Sequence, residues 1–200
     1  MISYEEALDI IAQHPFSPRA EKRALSDASG YILNESLYAD RDFPPFDRVT
    51  MDGISINHAA YANGQRTFTI EKTIGAGMPQ SSLEDATKCV QIMTGAMLPL
   101  NADTIIRYED ITITDDTATI NADSVKHQQN VHFKGMDRKQ GEMVLAKGTV
   151  LGAPEMIMAA AVGKSALEVL MPPKAAIITT GDELVDIDET PLDHQIRRSS

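Results

Sequence analysis

Tryptophan is absent from this 200-residue chain, and cysteine occurs only once. The single thiol, Cys89, cannot form an internal disulfide, and one cysteine cannot supply the thiolate set of a structural zinc site. Because Val90 and Ile92 flank it on one side, Cys89 is predicted to be a small core residue rather than a nucleophile. Aromatic residues make up only 5% of the chain, so its cores must rely on aliphatic side chains and the ten methionines.

Basic residues are scarce: 18 Lys and Arg stand against 29 Asp and Glu, for a net charge of −11. This balance argues against a broad surface for a nucleic-acid backbone, which needs clustered Lys and Arg. It leaves room for a small anionic ligand, because a bound Mg²⁺ could sit between acidic side chains and a phosphate.

Long hydrophobic runs are also missing, since none approaches the roughly 20 apolar residues needed to cross a bilayer. The opening residues, MISYEEALDI, lack a basic segment followed by an apolar one, so no signal peptide is predicted. We therefore expect a cytoplasmic protein with neither a membrane nor a nucleic-acid partner. Its 42% hydrophobic and 24% charged residues are typical of a globular chain of one or two domains.

The N-terminal segment is predicted to begin with a helix. Ser3 and Glu6 have the spacing of a capping box, and Pro15 should end the helix. A second helical stretch is predicted over residues 26–34, followed by a short extended piece over residues 35–39.

The middle of the chain has the pattern of an all-β sandwich or barrel. Short β-branched runs recur at roughly 8–12-residue spacing, separated by Gly, Pro, Asn and Asp. Residues 111–120 are predicted to form a hairpin that turns at Asp115-Asp116. We take residues 40–140 as an inserted β-domain whose strands fall at residues 66–70, 88–93, 103–108, 111–113 and 118–120.

A second mixed region is predicted after this domain. Residues 143–145 and 149–151 flank Lys147-Gly148 in the pattern of another hairpin, and a helix should run from Pro154 to Gly163. The apolar face of this helix is predicted to consist of Met156, Ile157, Ala160 and Ala161.

The C-terminal part is predicted to begin a parallel sheet. Leu167–Leu170 is predicted to be a strand and residues 171–173 a linker, and the apolar run at residues 175–179 is typical of a strand buried on both faces. A parallel neighbour would need a crossover of about a dozen residues or more. Only 21 residues follow Thr179 and they are polar, so we expect a fragment, or a protein that borrows the rest of that sheet.

Polar groups that could bind a ligand follow this run. A parallel sheet binds ligands at the carboxyl ends of its strands, where Thr180, Gly181, Asp182 and Glu183 would lie. The hydroxyl could donate to a phosphate, and either carboxylate could hold a divalent cation. The same acidic pair fits the first turn of a following helix equally well.

Three further segments carry candidate site residues. The loop Pro44–Gly53 is stiffened by two prolines and presents Asp47 and Asp52 before a glycine, which suits a metal ion or polar ligand but also a solvated turn. Thr94 precedes a glycine turn that could cradle an oxyanion or be a plain turn. Asp137, in a basic stretch, could reach a site or belong to a solvated turn.

The five histidines show no metal-binding spacing, and no nucleophile has an adjacent base.

Taken together, four stretches in order resemble the MoeA and gephyrin E-domain family, the molybdenum insertases of molybdenum-cofactor synthesis. They are Pro44–Gly53, Met93–Pro99 with the acidic residues behind it, Gly135–Gly141, and Thr179–Leu184. The resemblance implies Mg²⁺-dependent insertion of molybdate into adenylylated molybdopterin with release of AMP. It also implies an elongated homodimer, whose active site lies between the α/β domain of one subunit and the β-domain of the other, and contact with other cofactor-synthesis proteins.

By motif position, the resemblance assigns catalytic roles to Asp52, Thr94, Asp137 and Glu183. Asp52 and Glu183 would coordinate the cation, and Thr94 would contact an oxyanion. The cofactor-binding residues would be Thr180, Gly181 and Asp182.

The resemblance implies an α+β multidomain fold with a β-rich, barrel-like domain inserted into a mixed α/β elongated domain. Residues 1–18 would be a helix that packs with the α/β domain. Residues 19–39 and 141–171 would form the elongated linker domain, and residues 40–140 the insertion. Residues 172–200 would start an incomplete parallel, MogA-like α/β domain.

The sequence departs from the family pattern at several points. Arg48, Val49 and Thr50 stand where the family loop has a small residue and then Ser-Ala, and His132 replaces an expected arginine. The end, residues 197–200, replaces an Asp-Ser-Asn-like string. Because the family's α/β domain continues beyond this point, we expect the chain alone to be inactive. The alternatives are a non-catalytic dimerisation or binding fragment or paralogue of the same family, and an unrelated Mg²⁺-dependent phosphate-handling protein.

Overall fold

The computed structural model describes residues 2–199; Met1 and Ser200, the last residue of the C-terminal departure, lie outside the described residues. The fold is α+β, with α-helices at α1 (Tyr4–Ala12), α2 (His58–Ala62) and α3 (Ala153–Ala161). The strands are β1 (Ala20–Ala24), β2 (Ile32–Leu33), β3 (Leu37–Tyr38), β4 (Arg48–Val49), β5 (Gly53–Ile56), β6 (Thr67–Ile74), β7 (Cys89–Ile92), β8 (Thr104–Arg107), β9 (Ile111–Thr114), β10 (Thr117–Ile120), β11 (Val131–His132), β12 (Met143–Leu145), β13 (Ala166–Leu170), β14 (Leu184–Val185) and β15 (Ile196–Arg197).

A six-stranded mixed sheet occupies the middle of the chain, in the order β8-β5-β7-β6-β10-β9. Only β6 and β7 run parallel; the other neighbours are antiparallel. Strands β5 and β7 have buried residues on both faces, so Cys89 packs into one core with Ile54 and Phe68, and Val90 into another with Ile92. This confirms the five strands predicted in this region. It also confirms Cys89 as a core residue, and burial raises the pKa of its thiol to about 12.

The predicted hairpin is confirmed at the edge of this sheet. β9 and β10 pair antiparallel with Thr114 opposite Thr117, and Asp115 in the turn has φ +53°. Aspartate tolerates this left-handed conformation better than most residues, which is why the Asp115-Asp116 pair is a usable turn signal.

A second, three-stranded antiparallel sheet has the order β1-β13-β2, which confirms the predicted strand at residues 167–170. The helix predicted over residues 26–34 is wrong. Residues 25–27 form one 3₁₀ turn, Gly30 has φ +84°, and β2 then pairs with β13. Because Gly30 takes a left-handed conformation, the chain turns away from a helical path after the 3₁₀ turn and enters the sheet. The extended piece at residues 35–39 contains β3, as predicted.

The hairpin predicted around Lys147-Gly148 is wrong. β12 pairs with β3, and on the other side of the turn the Leu33 N–H donates to the Thr149 carbonyl at 2.8 Å. Both flanks therefore pair with the 32–38 segment rather than with each other. This arrangement brings Leu145 and Leu151 into the core of the second sheet.

Helix α3 is confirmed, with Gly163 beyond its end at φ +78°, but its predicted apolar face is wrong. Ile157 is 68% exposed, whereas Ala159 and Val162 are buried and Met156 packs against the same core. The buried side thus consists of Met156, Ala159 and Val162, which are three positions apart. Because most residues of this helix are apolar, the sequence alone allows more than one choice of buried face.

The N-terminal helix is also confirmed. The Glu6 N–H donates to the Ser3 hydroxyl at 3.1 Å, and α1 ends at Ala12, before Pro15. No residue of α1 is buried, and its apolar side chains, such as Ile11, lie exposed. Among residues 2–199, no helix is long and apolar enough to cross a membrane.

The buried strand predicted over residues 175–179 is wrong. Residues 171–180 have no strand or helix, and Ile177 and Ile178 are 81% and 82% exposed. A buried strand needs partners on both edges, and the described residues provide no strand that pairs with this segment. Further on, β14 and β15 form a short parallel pair by themselves.

Candidate functional site

The loop Pro44–Gly53 is tied to two other segments of the chain. The Gly135 N–H donates to the Pro44 carbonyl at 2.9 Å, and the Lys134 N–H donates to Asp47 Oδ1 at 2.8 Å. On the other side, the Leu98 N–H donates to the Asp47 carbonyl at 2.8 Å. The carboxylate of Asp47 therefore serves loop structure, which leaves Asp52 as the candidate ligand-binding carboxylate of this loop.

Strand β4, in the middle of this loop, lies between two short segments. Arg48 pairs with Met97 on one side and with His132 of β11 on the other. The Val49 side chain is fully buried, and its carbonyl accepts from the Gly95 N–H at 2.9 Å. The two-residue strand β4, anchored by the buried Val49, thus fixes the Thr94 turn and the Asp137 turn relative to each other.

Gly53 ends the loop and begins β5, where two strands approach closely. A Cβ atom at this position would lie 1.9 Å from the Ile106 carbonyl oxygen. Only glycine fits between these backbones, and this contact positions Asp52 immediately before the sheet.

Asp52 and Thr94 come together at this end of the loop. The Thr94 N–H donates to Asp52 Oδ1 at 2.6 Å, and both side chains belong to exposed residues. The amide of Thr94, followed by its hydroxyl, lowers the pKa of the Asp52 carboxyl below its usual 3.8. The result is an ionised, solvent-facing carboxylate of fixed position, which can bind a cation.

Asp137 lies at the other side of β4 and is joined to it through a histidine. Asp137 Oδ1 is 2.9 Å from His132 Nε2, and His132 Nδ1 is 3.2 Å from an Arg48 Nη2. Asp137 also borders a cavity of about 330 Å³ with an apolar lining from Phe43 and Val144. The Arg48–His132–Asp137 chain therefore places two charges of opposite sign around one imidazole.

The remaining predicted residues lie in the C-terminal segment. Thr180, Gly181, Asp182 and Glu183 are all solvent-accessible, and the Leu184 N–H donates to the Gly181 carbonyl at 3.1 Å. The Glu183 carboxylate folds back over Gly181, where a Cβ would lie 2.6 Å from its Oε1. These residues can approach a ligand without moving a packed core.

The structure brings some of the predicted site residues together and leaves others apart. Within residues 2–199, hydrogen bonds join Asp52 to Thr94 but join neither residue to Asp137 or Glu183. No group of three His, Cys, Asp or Glu side chains in this part of the chain could hold a metal ion by itself. Any cation at Asp52 would therefore need ligands from elsewhere.

The contact between Arg48 and His132 was not predicted from the sequence. The two residues are 84 positions apart, and only the β4–β11 register places them side by side. The available signal was that both positions depart from the pattern that the resemblance implies.

Comparisons with known proteins bear on the whole chain. A family model described as "MoeA N-terminal region (domain I and II)" matches residues 2–163. The chain is 40% identical over 201 residues to a molybdopterin molybdenumtransferase of Synechocystis, covering 100% of this chain and 52% of that protein. It is 34% identical over 203 residues to a protein of the same name from Staphylococcus aureus strain Mu50, covering 100% and 48%.

A solved structure of a MoeA protein is also similar to this chain. The molybdopterin biosynthesis MoeA protein of Pyrococcus horikoshii OT3 superposes with a TM-score of 0.79 at 31% identity, covering 94% of this chain and 51% of that one. The chain thus spans about half the length of the curated relatives it matches.

Proposed function

Because this chain belongs to the MoeA family, whose N-terminal region matches its residues 2–163, we propose that it forms part of a molybdopterin molybdenumtransferase. The reaction would insert molybdate into adenylylated molybdopterin and release AMP. Family membership leaves no support for an unrelated phosphate-handling protein.

The observation that carries this proposal is the contact between Asp52 and Thr94. These residues are 42 positions apart, yet a 2.6 Å hydrogen bond holds them together on an exposed surface. The proposed reaction brings molybdate, an oxyanion, close to the phosphates of the adenylylated pterin. It therefore depends more on fixed charges and on positioning than on covalent catalysis. In the proposed site, Asp52, Thr94, Asp137 and Glu183 are the catalytic residues, and the Thr94 hydroxyl contacts an oxyanion.

Mg²⁺ is part of the proposal, and the donor set of Asp52 fits it. Proteins usually bind Mg²⁺ through one or two carboxylates together with water and substrate phosphates, not through a complete protein cage. Asp52 offers an ionised and exposed carboxylate, with the Thr94 amide bound to only one of its oxygens. When bound, Mg²⁺ would neutralise charge on the phosphates. Asp52 and Glu183 would hold it, while Thr180, Gly181 and Asp182 would bind the pterin nucleotide.

The proposed site is completed by a second subunit. In a homodimer, the exposed segment with Glu183 would face the loop with Asp52 of the other subunit. The lack of any bond between these two residues within residues 2–199 is compatible with this arrangement.

We also propose that the chain is divided into four parts: residues 1–18, residues 19–39 together with 141–171, residues 40–140, and residues 172–200. Residues 40–140 would form a barrel-like insertion, and residues 172–200 the start of an incomplete MogA-like domain. The separate six- and three-stranded sheets support it.

The activity is tested by complementation of a bacterium that lacks its own molybdenumtransferase. We expect no restored molybdoenzyme activity from residues 1–200 alone, because the chain spans only 52% of its Synechocystis relative. The chain joined to the remaining half of that relative should restore activity, and Asp52→Ala in the joined chain should abolish it. Restored molybdoenzyme activity from residues 1–200 alone would refute the expectation that this part of the protein is inactive by itself. An inactive but folded joined chain would refute the catalytic proposal.

A second candidate is a non-catalytic dimerisation or binding fragment. It is favoured by the exposed apolar side chains of α1 and of the 175–179 segment, such as Ile11 and Ile177. This candidate expects a stable dimer of residues 1–200 in sedimentation analysis, together with a joined chain that fails to complement.

A further inference from the structure

We propose that Arg48 is an oxyanion-binding residue, which His132 holds in place as a positioning residue. The ligand would be a tetrahedral oxyanion: the phosphate of a nucleotide or free molybdate. The inference deepens the proposed function, on which it rests only for the choice of molybdate and AMP as probes.

The hydrogen bonds assign the tautomer of a neutral His132 ring. An arginine guanidinium has only donors, so His132 Nδ1, 3.2 Å from Arg48 Nη2, must accept. The proton of the neutral ring then lies on Nε2, which donates to Asp137 Oδ1 at 2.9 Å. A protonated ring would direct an N–H at the guanidinium instead. In the tautomer with its proton on Nε2, the ring therefore accepts from the guanidinium on one nitrogen and donates to the carboxylate from the other.

The guanidinium of Arg48 keeps its charge available. Within residues 2–199, its side chain has a hydrogen bond to His132 and no ion pair with a carboxylate. By contrast, Arg107 is paired with Asp110 through two hydrogen bonds. Arg48 is exposed, so a ligand in solvent can reach its guanidinium. Its remaining N–H groups form a fork that suits oxyanions.

The backbone restricts this side chain further. Arg48 belongs to β4, which pairs with Met97 on one side and with His132 on the other. The neighbouring Val49 is fully buried, so the Cα position of Arg48 is fixed by the core. A cation on a fixed strand loses less freedom on binding than one on a mobile loop. Since β4 also holds the Thr94 turn, the guanidinium lies on the same framework as the Asp52 carboxylate.

The test measures oxyanion binding by residues 1–200 with ¹⁵N NMR, at pH 8 and with chloride held constant. Sodium molybdate and AMP are titrated separately, with adenosine as the probe that lacks the phosphate. We expect saturable shifts of the Arg48 side-chain N–H signals with molybdate or AMP and none with adenosine. Which of the two binds more tightly identifies the source of the oxyanion.

Variants separate binding from a general charge effect. Arg48→Gln should weaken binding roughly five- to tenfold, and Arg48→Lys should recover only part of it. The exposed Arg19→Gln is the matched control, with the same loss of charge and an expected change of less than about twofold. Equal binding by Arg48→Gln, equal weakening by Arg19→Gln, or no saturable shift in the unmodified chain would each overturn the proposal.

The positioning role of His132 has its own readout. The ¹⁵N shifts of His132 should show an unprotonated Nδ1 and a protonated Nε2 at pH 8. His132→Phe leaves Arg48 charged, yet it should weaken oxyanion binding roughly threefold because the guanidinium is no longer held. The opposite tautomer, or unchanged binding by a folded His132→Phe chain, would rule out positioning by this histidine. Because these readouts need no transferase activity, a failed complementation leaves their interpretation unchanged.

Discussion

The backbone amide of Thr94 donates a 2.6 Å hydrogen bond to Asp52 Oδ1, and this contact lowers the pKa of the Asp52 carboxyl. A carboxylate with a lowered pKa in the folded state stabilises the fold at pH above its unfolded value. That contribution is lost as the pH falls through the lower, folded value. At neutral pH the contact is therefore fully formed, and acid should break it.

The first prediction follows the Thr94 amide during acidification. Its proton resonance should be shifted strongly downfield at pH 7 and should move upfield with a midpoint below the usual aspartate value of 3.8. Asp52→Asn should remove this titration, whereas Asp123→Asn, at an exposed position, should leave it unchanged. ¹H–¹⁵N spectra collected between about pH 7 and about pH 2.5 provide the measurement. A midpoint above 3.8, or a titration that persists in Asp52→Asn, would show that the contact does not form in solution.

The second prediction concerns Gly53. A Cβ here would lie 1.9 Å from the Ile106 carbonyl oxygen, so Gly53→Ala must push β5 and β8 apart. We expect a loss of roughly 2–4 kcal/mol in the free energy of unfolding, measured by urea denaturation. Gly75→Ala is the control, because its Cβ would meet nothing closer than Met78 Sδ at 4.0 Å. Its free energy should change by less than about 1 kcal/mol. Similar losses in the two variants would contradict this explanation.

The third prediction concerns the ion pair between Glu35 and Lys164, whose atoms Oε2 and Nζ are 2.7 Å apart. Burial raises the pKa of Glu35, but the hydrogen bonds from Lys164 and from the Glu168 amide outweigh it, so the pKa lies below 4.5. The stabilisation is therefore present above pH 4.5 and is lost as the pH falls through the lower folded value. Since both side chains are partly exposed, Glu35→Gln should cost only about 0.5–1 kcal/mol at neutral pH.

The measurement for this pair is urea unfolding at pH 7 and at pH 3. The difference between the unmodified chain and Glu35→Gln should shrink at the lower pH. Glu142→Gln, at an exposed position, serves as the control and should leave stability within about 0.5 kcal/mol at neutral pH. A Glu35→Gln penalty that grows on acidification would contradict a lowered pKa for Glu35 in the folded chain.

Local patterns predicted the parts of the fold that depend on neighbouring residues. The strand at Cys89–Ile92 and the hairpin turning at Asp115 follow from β-branched runs and turn residues. The pairing of β12 with β3 could not be predicted, because residues about 100 positions apart form it and the competing hairpin has a good local turn. The same holds for the site residues: their identity could be predicted from local sequence, but their contacts could not. Single segments marked Asp52 and Thr94, but only the fold brings them into contact.

The last prediction concerns the apolar run at residues 175–179, which local pattern assigned to a buried strand. Ile177 and Ile178 are 81% and 82% exposed, so they add little buried area to the fold. The double variant Ile177→Ser/Ile178→Ser should change the free energy of unfolding by less than about 0.5 kcal/mol. Leu167→Ala, at a fully buried position in the second sheet, is the contrasting variant and should lose roughly 2–5 kcal/mol.

Urea denaturation followed by circular dichroism distinguishes the two outcomes for this segment. If the double variant loses as much stability as Leu167→Ala, the isoleucines pack against something in solution. Repeating the experiment over a roughly tenfold range of protein concentration then identifies it. A loss that grows with concentration means that a second copy of the chain covers the segment, because association stabilises a fold by mass action. A loss independent of concentration means that the chain folds back onto its own segment. Retention of full stability by the double variant would instead show that the segment stays outside the cooperative fold of residues 2–199.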